Sequence, residues 1–224
     1  LERCLNDHFS QPMAPATFNL RLAYLKGFFD FLTVPDGCRE KPEYRGRIPV
    51  LQHNPLCGRP KRRTEGRIVR LPDETVRRLL ALPDRTTFTG HRDWLLLLVQ
   101  LDCAIRPSEA LGLLPGDLDL DRHMLVVRAS CAKTRAARTL PISEHTCRAL
   151  RIWLAEREER KFPPSAPLFC SIDGSPISEN TWYRRLCEYG EKLNIRIRPY
   201  DLRHYAAMAY YENTSHNVFR LQTL

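Results

Sequence analysis

Three basic side chains have the types and surroundings to do chemistry on a phosphate. Arg106 lies in Ala104-Ile105-Arg106-Pro107-Ser108-Glu109-Ala110-Leu111, and Arg203 in Pro199-Tyr200-Asp201-Leu202-Arg203-His204. Between them Lys133 sits on a polar turn flanked by two apolar runs. Guanidinium groups make fixed clamps for the non-bridging oxygens of a phosphodiester, where the transition state concentrates negative charge. An ammonium group could supply the proton that a departing sugar oxygen needs. A nucleophile must complete the set. No cluster of carboxylates in the chain is spaced to hold two magnesium ions, which argues against the two-metal route. Spacing alone does not bring the three cations together, and a lone Arg-x-x-Glu on a helix is usually a surface ion pair.

The elements that must position them follow from apolar periodicity. Over residues 17–33, Phe18, Leu22, Leu25, Phe28, Phe29 and Leu32 recur at helical spacing with Asn19, Arg21 and Lys26 between, which predicts an amphipathic helix. Residues 35–60, rich in Pro, Gly and charge, read as loop and linker. Pro72-Asp73-Glu74 suits a first helical turn, continued by Val76, Leu79, Leu80 and Leu82. The run Trp94 to Leu101 predicts a buried helix leading into Arg106, and Leu118 and Leu120 alternate with aspartates as in a short strand. Met124 to Arg128 and Arg138 to Ile142 flank the polar turn as a hairpin. Ser143 is placed to cap a helix, another helix follows Ser178, and the last begins near Asp201. The expected fold class is mainly α with a small antiparallel β-sheet (α+β).

Composition sets the bounds. The 224 residues suffice for a small and a medium domain, and 43% hydrophobic with 27% charged residues describe a globular chain. The 35 Lys+Arg against 26 Asp+Glu give a net charge of +9 and a pI near 9.3, a balance that favours polyanions through phosphate contact and counterion release. The eight cysteines form no CxxC pair, so free thiols in a reducing cytosol are expected, and no metal or other cofactor is called for. His53 and Cys57 with Cys38 lack the second close pair that a zinc site needs. The longest apolar stretch is far too short to span a membrane.

With these residues in place, the chain resembles the tyrosine recombinase (phage integrase) family. Arg106, Glu109 and Leu111 are similar to the family's first box, Arg-x-x-Glu-x-Leu. Lys133-Thr134, Arg138 and Leu140-Pro141-Ile142 are similar to its lysine hairpin. Asp201-Leu202-Arg203-His204 resembles its second box. The likeness covers residues 71–224 well. It extends more loosely to 1–60, as the end of the helical domain that grips the far side of the DNA. It implies a partial N-terminal core-binding domain over 1–60, a basic linker over 61–70 and a catalytic domain over 71–224.

By this resemblance Arg106 and Arg203 bind the scissile phosphate, Lys133 protonates the leaving 5′ oxygen, and the enzyme is held transiently as a 3′-phosphotyrosine. Glu109 is a buried partner anchoring the arginine helix, and His204 packs and hydrogen-bonds behind the site. The cations expected on the DNA backbone are Lys26, Arg59, Lys61, Arg62 and Arg63. The partners are double-stranded DNA and sister protomers on paired sites, with no membrane and no small-molecule substrate, in the cytoplasm. Two departures stand out. Tyr200 occupies the place where the family most often has histidine; with an ordinary pKa of about 10, a phenol is a poor base at neutral pH. The chain also ends before the Gly-His box and the tyrosine helix, and Tyr205, Tyr210 and Tyr211 read as packing aromatics, so cleavage by the chain as given is not expected. The alternatives are an inert protein that occupies recombination sites and a type IB topoisomerase, which shares the Arg–Lys–Arg chemistry.

Overall fold

The computed structural model describes residues 7–8, 11–33, 50–64, 70–132 and 136–213. The chain divides into two compact units, Leu1–Ile68 and Val69–Leu224.

In the first unit, strands β1 (Asp7–His8) and β2 (Gln11–Pro12) pair antiparallel ahead of helix α1 (Pro15–Leu32). Proline at the start of α1 has its φ pre-set for a helix and lacks an N–H that the first turn would leave unsatisfied. Phe18 and Leu22, joined by Leu25 and Phe29, pack with Met13 and Leu56. The expected amphipathic pattern needs correction: Phe28 is 55% exposed, and Leu20, Tyr24 and Phe31 share its outward exposure. The helix is apolar on two opposite faces because 18, 22, 25 and 29 share one stripe while 20, 24, 28 and 31 share another. Residues 54–62 run back along α1. Asn54 Nδ2 donates to Asp30 Oδ1 at 2.6 Å, and Asn19 exchanges two 2.8 Å hydrogen bonds with the backbone of Arg62.

The second unit is built around α3 (Phe88–Cys103), whose Leu95, Leu96, Leu97 and Val99 are all fully buried. Helix α2 (Asp73–Leu80) precedes it. Then come α4 (Pro107–Leu111), a 3-10 turn (Pro115–Asp117) and strands β3 (Leu118–Asp119), β4 (Met124–Val127) and β5 (Arg138–Pro141). The strands form an antiparallel sheet in the order β3-β4-β5, with Leu125 opposite Leu140 and Val127 opposite Arg138. Helices α5 (Glu144–Glu159), α6 (Glu179–Lys192) and α7 (Pro199–Asn213) follow. The mainly α architecture with a small antiparallel sheet of three strands is as the sequence predicts, and the two-residue strands β1 and β2 add a pair that it does not.

The local signals explain these boundaries. Ser143 and Ser178 each accept a hydrogen bond from the backbone N–H three residues on, capping α5 and α6. Thr87 does the same for α3 through the N–H of Gly90. A Cβ at Gly90 would lie 2.0 Å from the carbonyl oxygen of Asp84, so only glycine lets the entering loop close on the helix there. Trp153 and Trp182 are fully buried, and each indole N–H is satisfied: the first by the Leu168 carbonyl at 2.8 Å, the second by Gln100 Oε1 at 2.9 Å. The Asp93 carboxylate, also without exposure, takes Arg92, Arg185 and the Tyr189 hydroxyl, tying α3 to α6 through a fully occupied acceptor. Among the described residues no helix is long and apolar enough to cross a membrane, and no cluster of His, Cys, Asp or Glu could hold a metal ion.

Candidate active site

Helix α3 ends at Ala104, which adopts the left-handed conformation with φ 48°. That turn reverses the chain and places Arg106 at the cap of α4, with Pro107 opening the helix. Glu109, one turn in, folds back: its Oε2 accepts the backbone N–H of Arg106 at 3.1 Å, and its Oε1 accepts the Arg106 guanidinium at 3.1 Å. The carboxylate has no solvent exposure, whereas the Arg106 side chain keeps 25% of its own. The arginine is therefore held from behind and presented outward.

Arg138, at the start of β5, grips the same carboxylate bidentately, with Nη1 to Oε1 at 3.0 Å and Nη2 to Oε2 at 2.7 Å. Burial alone would raise the Glu109 pKa, but the bonds from Arg138 and Arg106 outweigh it and hold the carboxyl below its ordinary value. Arg138 belongs to the motif that resembles the lysine hairpin, yet its role as a partner of Glu109 is a long-range contact that local pattern does not display. The turn end of the hairpin is secured separately. Arg128 bonds Asp117 at 2.9 Å and the Gly112 carbonyl at 2.5 Å, so the exit of β4 is fastened to the end of α4. Lys133 itself lies outside the described residues.

Arg203 arrives from α7. Leu202 and Ala206 are buried on the face of α7 turned to the core, and α7 packs against α3. One position on from Leu202, the half-buried Arg203 reaches across to donate through Nη1 to the Ala104 carbonyl, two residues before Arg106. Burial first, and then the charge of the nearby Arg106, lower the Arg203 pKa from its ordinary value. Arg138 repels it as well, while Glu109 and Tyr200 act the other way. Two guanidiniums thus share one carboxylate and a third lies within range of its charge, so among these four side chains a surplus of two positive charges remains. Such an arrangement attracts an anion with several oxygens.

Other expected site residues fall as follows. Tyr200 is the second residue of α7, within one turn of Arg203, and is 52% exposed. His204 is exposed rather than packed behind the site. It stands two residues from both Leu202 and Ala206, about 200° around the helix from the buried face at 3.6 residues per turn. Tyr205 donates to Asp73 at 2.9 Å, and burial together with that carboxylate raises its pKa. In the first unit, Lys26 Nζ donates to the Arg59 carbonyl at 2.9 Å, and the Arg62 guanidinium lies 4.0 Å from the centre of the Phe18 ring. Lys61 and Arg63 are exposed, and Arg59 is half-buried.

A central buried helix turning into a carboxylate-backed arginine, a β-hairpin fastened to it and a second arginine from α7 make up the candidate site. The chain belongs to the phage integrase family, whose model matches residues 69–219. It is 30% identical over 221 residues to a tyrosine recombinase of Synechococcus elongatus, covering 95% of this chain and 63% of that protein. It is also 30% identical to the tyrosine recombinase XerC of Myxococcus xanthus, covering 85% of this chain and 61% of that protein. The chain therefore spans less than two thirds of these relatives. The fold is shared with the Tn1549 transposon integrase in complex with a circular intermediate DNA, with TM-score 0.72, 18% identity, and 94% of this chain on 71% of that one. It is also shared with the XerH site-specific recombinase bound to its difH substrate, with TM-score 0.67, 20% identity, and 94% of this chain on 58% of that one.

Proposed function

We propose that this chain acts in site-specific DNA recombination, with Arg106 and Arg203 gripping the phosphate at which a strand is cut and rejoined. The observation that carries the reading is the hydrogen bond from Arg203 to the Ala104 carbonyl, which brings the two arginine motifs to one place beside Glu109. In this reading a tyrosine oxygen attacks phosphorus, the bond to the 5′ oxygen breaks, and Lys133 gives that oxygen its proton. The two guanidiniums hold the non-bridging oxygens as their charge grows. Tyr200 donates a hydrogen bond to the phosphate in the place where the family most often has histidine. The product is a 3′-phosphotyrosine, reversed by attack of a free 5′ hydroxyl.

The attacking tyrosine is none of those on α7. Tyr205 is engaged with Asp73. Tyr210 and Tyr211 follow Arg203 by seven and eight residues, which at 1.5 Å per residue is about 10 Å along the helix. The partner is double-stranded DNA, with protomers associating on paired sites, and Lys61 and Arg63 adding contacts to the backbone.

Fluorescence anisotropy with duplex DNA across a range of salt tests the clamp. The double variant Arg106→Ala/Arg203→Ala is expected to bind about tenfold more weakly at low salt. The slope of log K against log salt should fall by about one, since both arginines serve one phosphate and each phosphate contributes about 0.9. Affinity and slope equal to those of the wild type would remove these residues from the DNA.

A further inference from the structure

Glu109 has four hydrogen bonds to accept and two clients: Arg106 through its backbone N–H and one guanidinium nitrogen, and Arg138 through two guanidinium nitrogens. Arg106 alone leaves the carboxylate underdetermined. One bond to each oxygen from a single residue, one of them on a long flexible side chain, permits the carboxylate plane to turn. A bidentate fork fixes that plane, because two parallel N–H groups must both find an oxygen. The fork comes from a different element: Arg138 is held in register opposite Val127, and that same end of β4 is fastened through Arg128 to Asp117 and Gly112. The sheet thus supplies a rigid external reference for a carboxylate carried on a helix of only five residues.

We propose that Arg138 is a positioning residue for Arg106, locking the Glu109 carboxylate so that the Arg106 guanidinium is held at one angle toward the phosphate. This rests on the reading of Arg106 as a phosphate ligand and adds to it the part played by the fork. The charge of Arg138 is insufficient for the task. Lysine, a single point charge on a flexible stem, can meet one carboxylate oxygen but not both in a fixed plane.

The test uses the full chain with 15N-labelled arginine and inorganic phosphate as the probe, followed at the Nε–H resonance of Arg106, which is assigned by its loss in Arg106→Lys. In the wild type this resonance is expected to shift saturably with phosphate. In Arg138→Lys, which keeps the charge, the same shift is expected to require at least about fivefold more phosphate, with the melting temperature within a few degrees of wild type. A titration in Arg138→Lys that overlays the wild type overturns the proposal while leaving the phosphate clamp standing. No saturable shift in the wild type overturns the clamp itself, and the positioning role with it. If Arg138→Lys does not fold, the wild type decides. A locked fork gives Arg138 separate, slowly exchanging Nη signals, and a single averaged signal from free rotation refutes the role.

Discussion

Arg203 donates to the carbonyl of Ala104 across 99 residues of sequence, joining α7 to the left-handed residue that turns α3 toward Arg106. That contact makes the second arginine dependent on the same chain reversal that positions the first. It also explains why an alanine is tolerated with φ 48°, since the carbonyl it presents is used.

Removing the carboxylate at the centre of the site takes a shared anionic acceptor from two guanidiniums in a largely buried place. Glu109→Gln is expected to lower stability by about 3 kcal/mol in urea denaturation at pH 7, read by tryptophan fluorescence. The three tryptophans, Trp94, Trp153 and Trp182, all lie in the second unit, so the signal belongs to the unit that is altered. A loss below about 0.5 kcal/mol, the size expected of a surface pair, would mean the pairing is solvated.

The same carboxylate sets a pH dependence. Its folded pKa is lowered from the ordinary 4.5, so its stabilising contribution is fully present above that value and is lost as the pH falls through the lowered one. The difference in urea midpoint between wild type and Glu109→Gln should therefore be constant from pH 7 to about 5 and shrink below about 4.5. A difference that stays constant through the acid range would contradict the assignment.

Tyr189→Phe deletes the hydroxyl that donates to Asp93 while Arg185 stays on the same oxygen. A cost of about 1 kcal/mol is expected, with no change in affinity for duplex DNA. A variant of unchanged stability but weakened DNA binding would place Tyr189 in the interface instead.

Helix faces give paired expectations. Leu202→Ala should cost about 3 kcal/mol and His204→Ala less than about 0.5, because only the first meets the core. In the first unit Leu22→Ala should likewise cost about 3 kcal/mol and Phe28→Gln less than about 0.5, followed by far-UV circular dichroism since that unit has no tryptophan. A large loss from Phe28→Gln would show that its outward face is covered in solution.

The features legible in the sequence are those governed by neighbours along the chain. Ser143 and Ser178 cap helices through the third residue onward, and the runs Met124 to Arg128 and Arg138 to Ile142 on either side of a polar turn mark the hairpin, although which of Met124 to Val127 face the core is not visible in an all-apolar run. Arg106 with Glu109 is equally local. The grip of Arg138 on Glu109 spans 29 residues, and no period encodes it. Phe28 misled because α1 carries apolar residues on both faces, so apolar spacing could not choose between them. His204 was legible in principle: Leu202 and Ala206 are one turn apart, which leaves position 204 pointing away. Lys133 was readable as part of a motif and lies outside the described residues.

A crystal of this chain soaked in tungstate, a phosphate mimic with a strong anomalous signal, asks most directly whether Arg106 and Arg203 form one anion clamp. The expected result is an anomalous peak whose oxygens lie about 3 Å from nitrogens of both guanidiniums. Tungstate bound only elsewhere on the basic surface, with both arginines unoccupied, would contradict the assignment of this site.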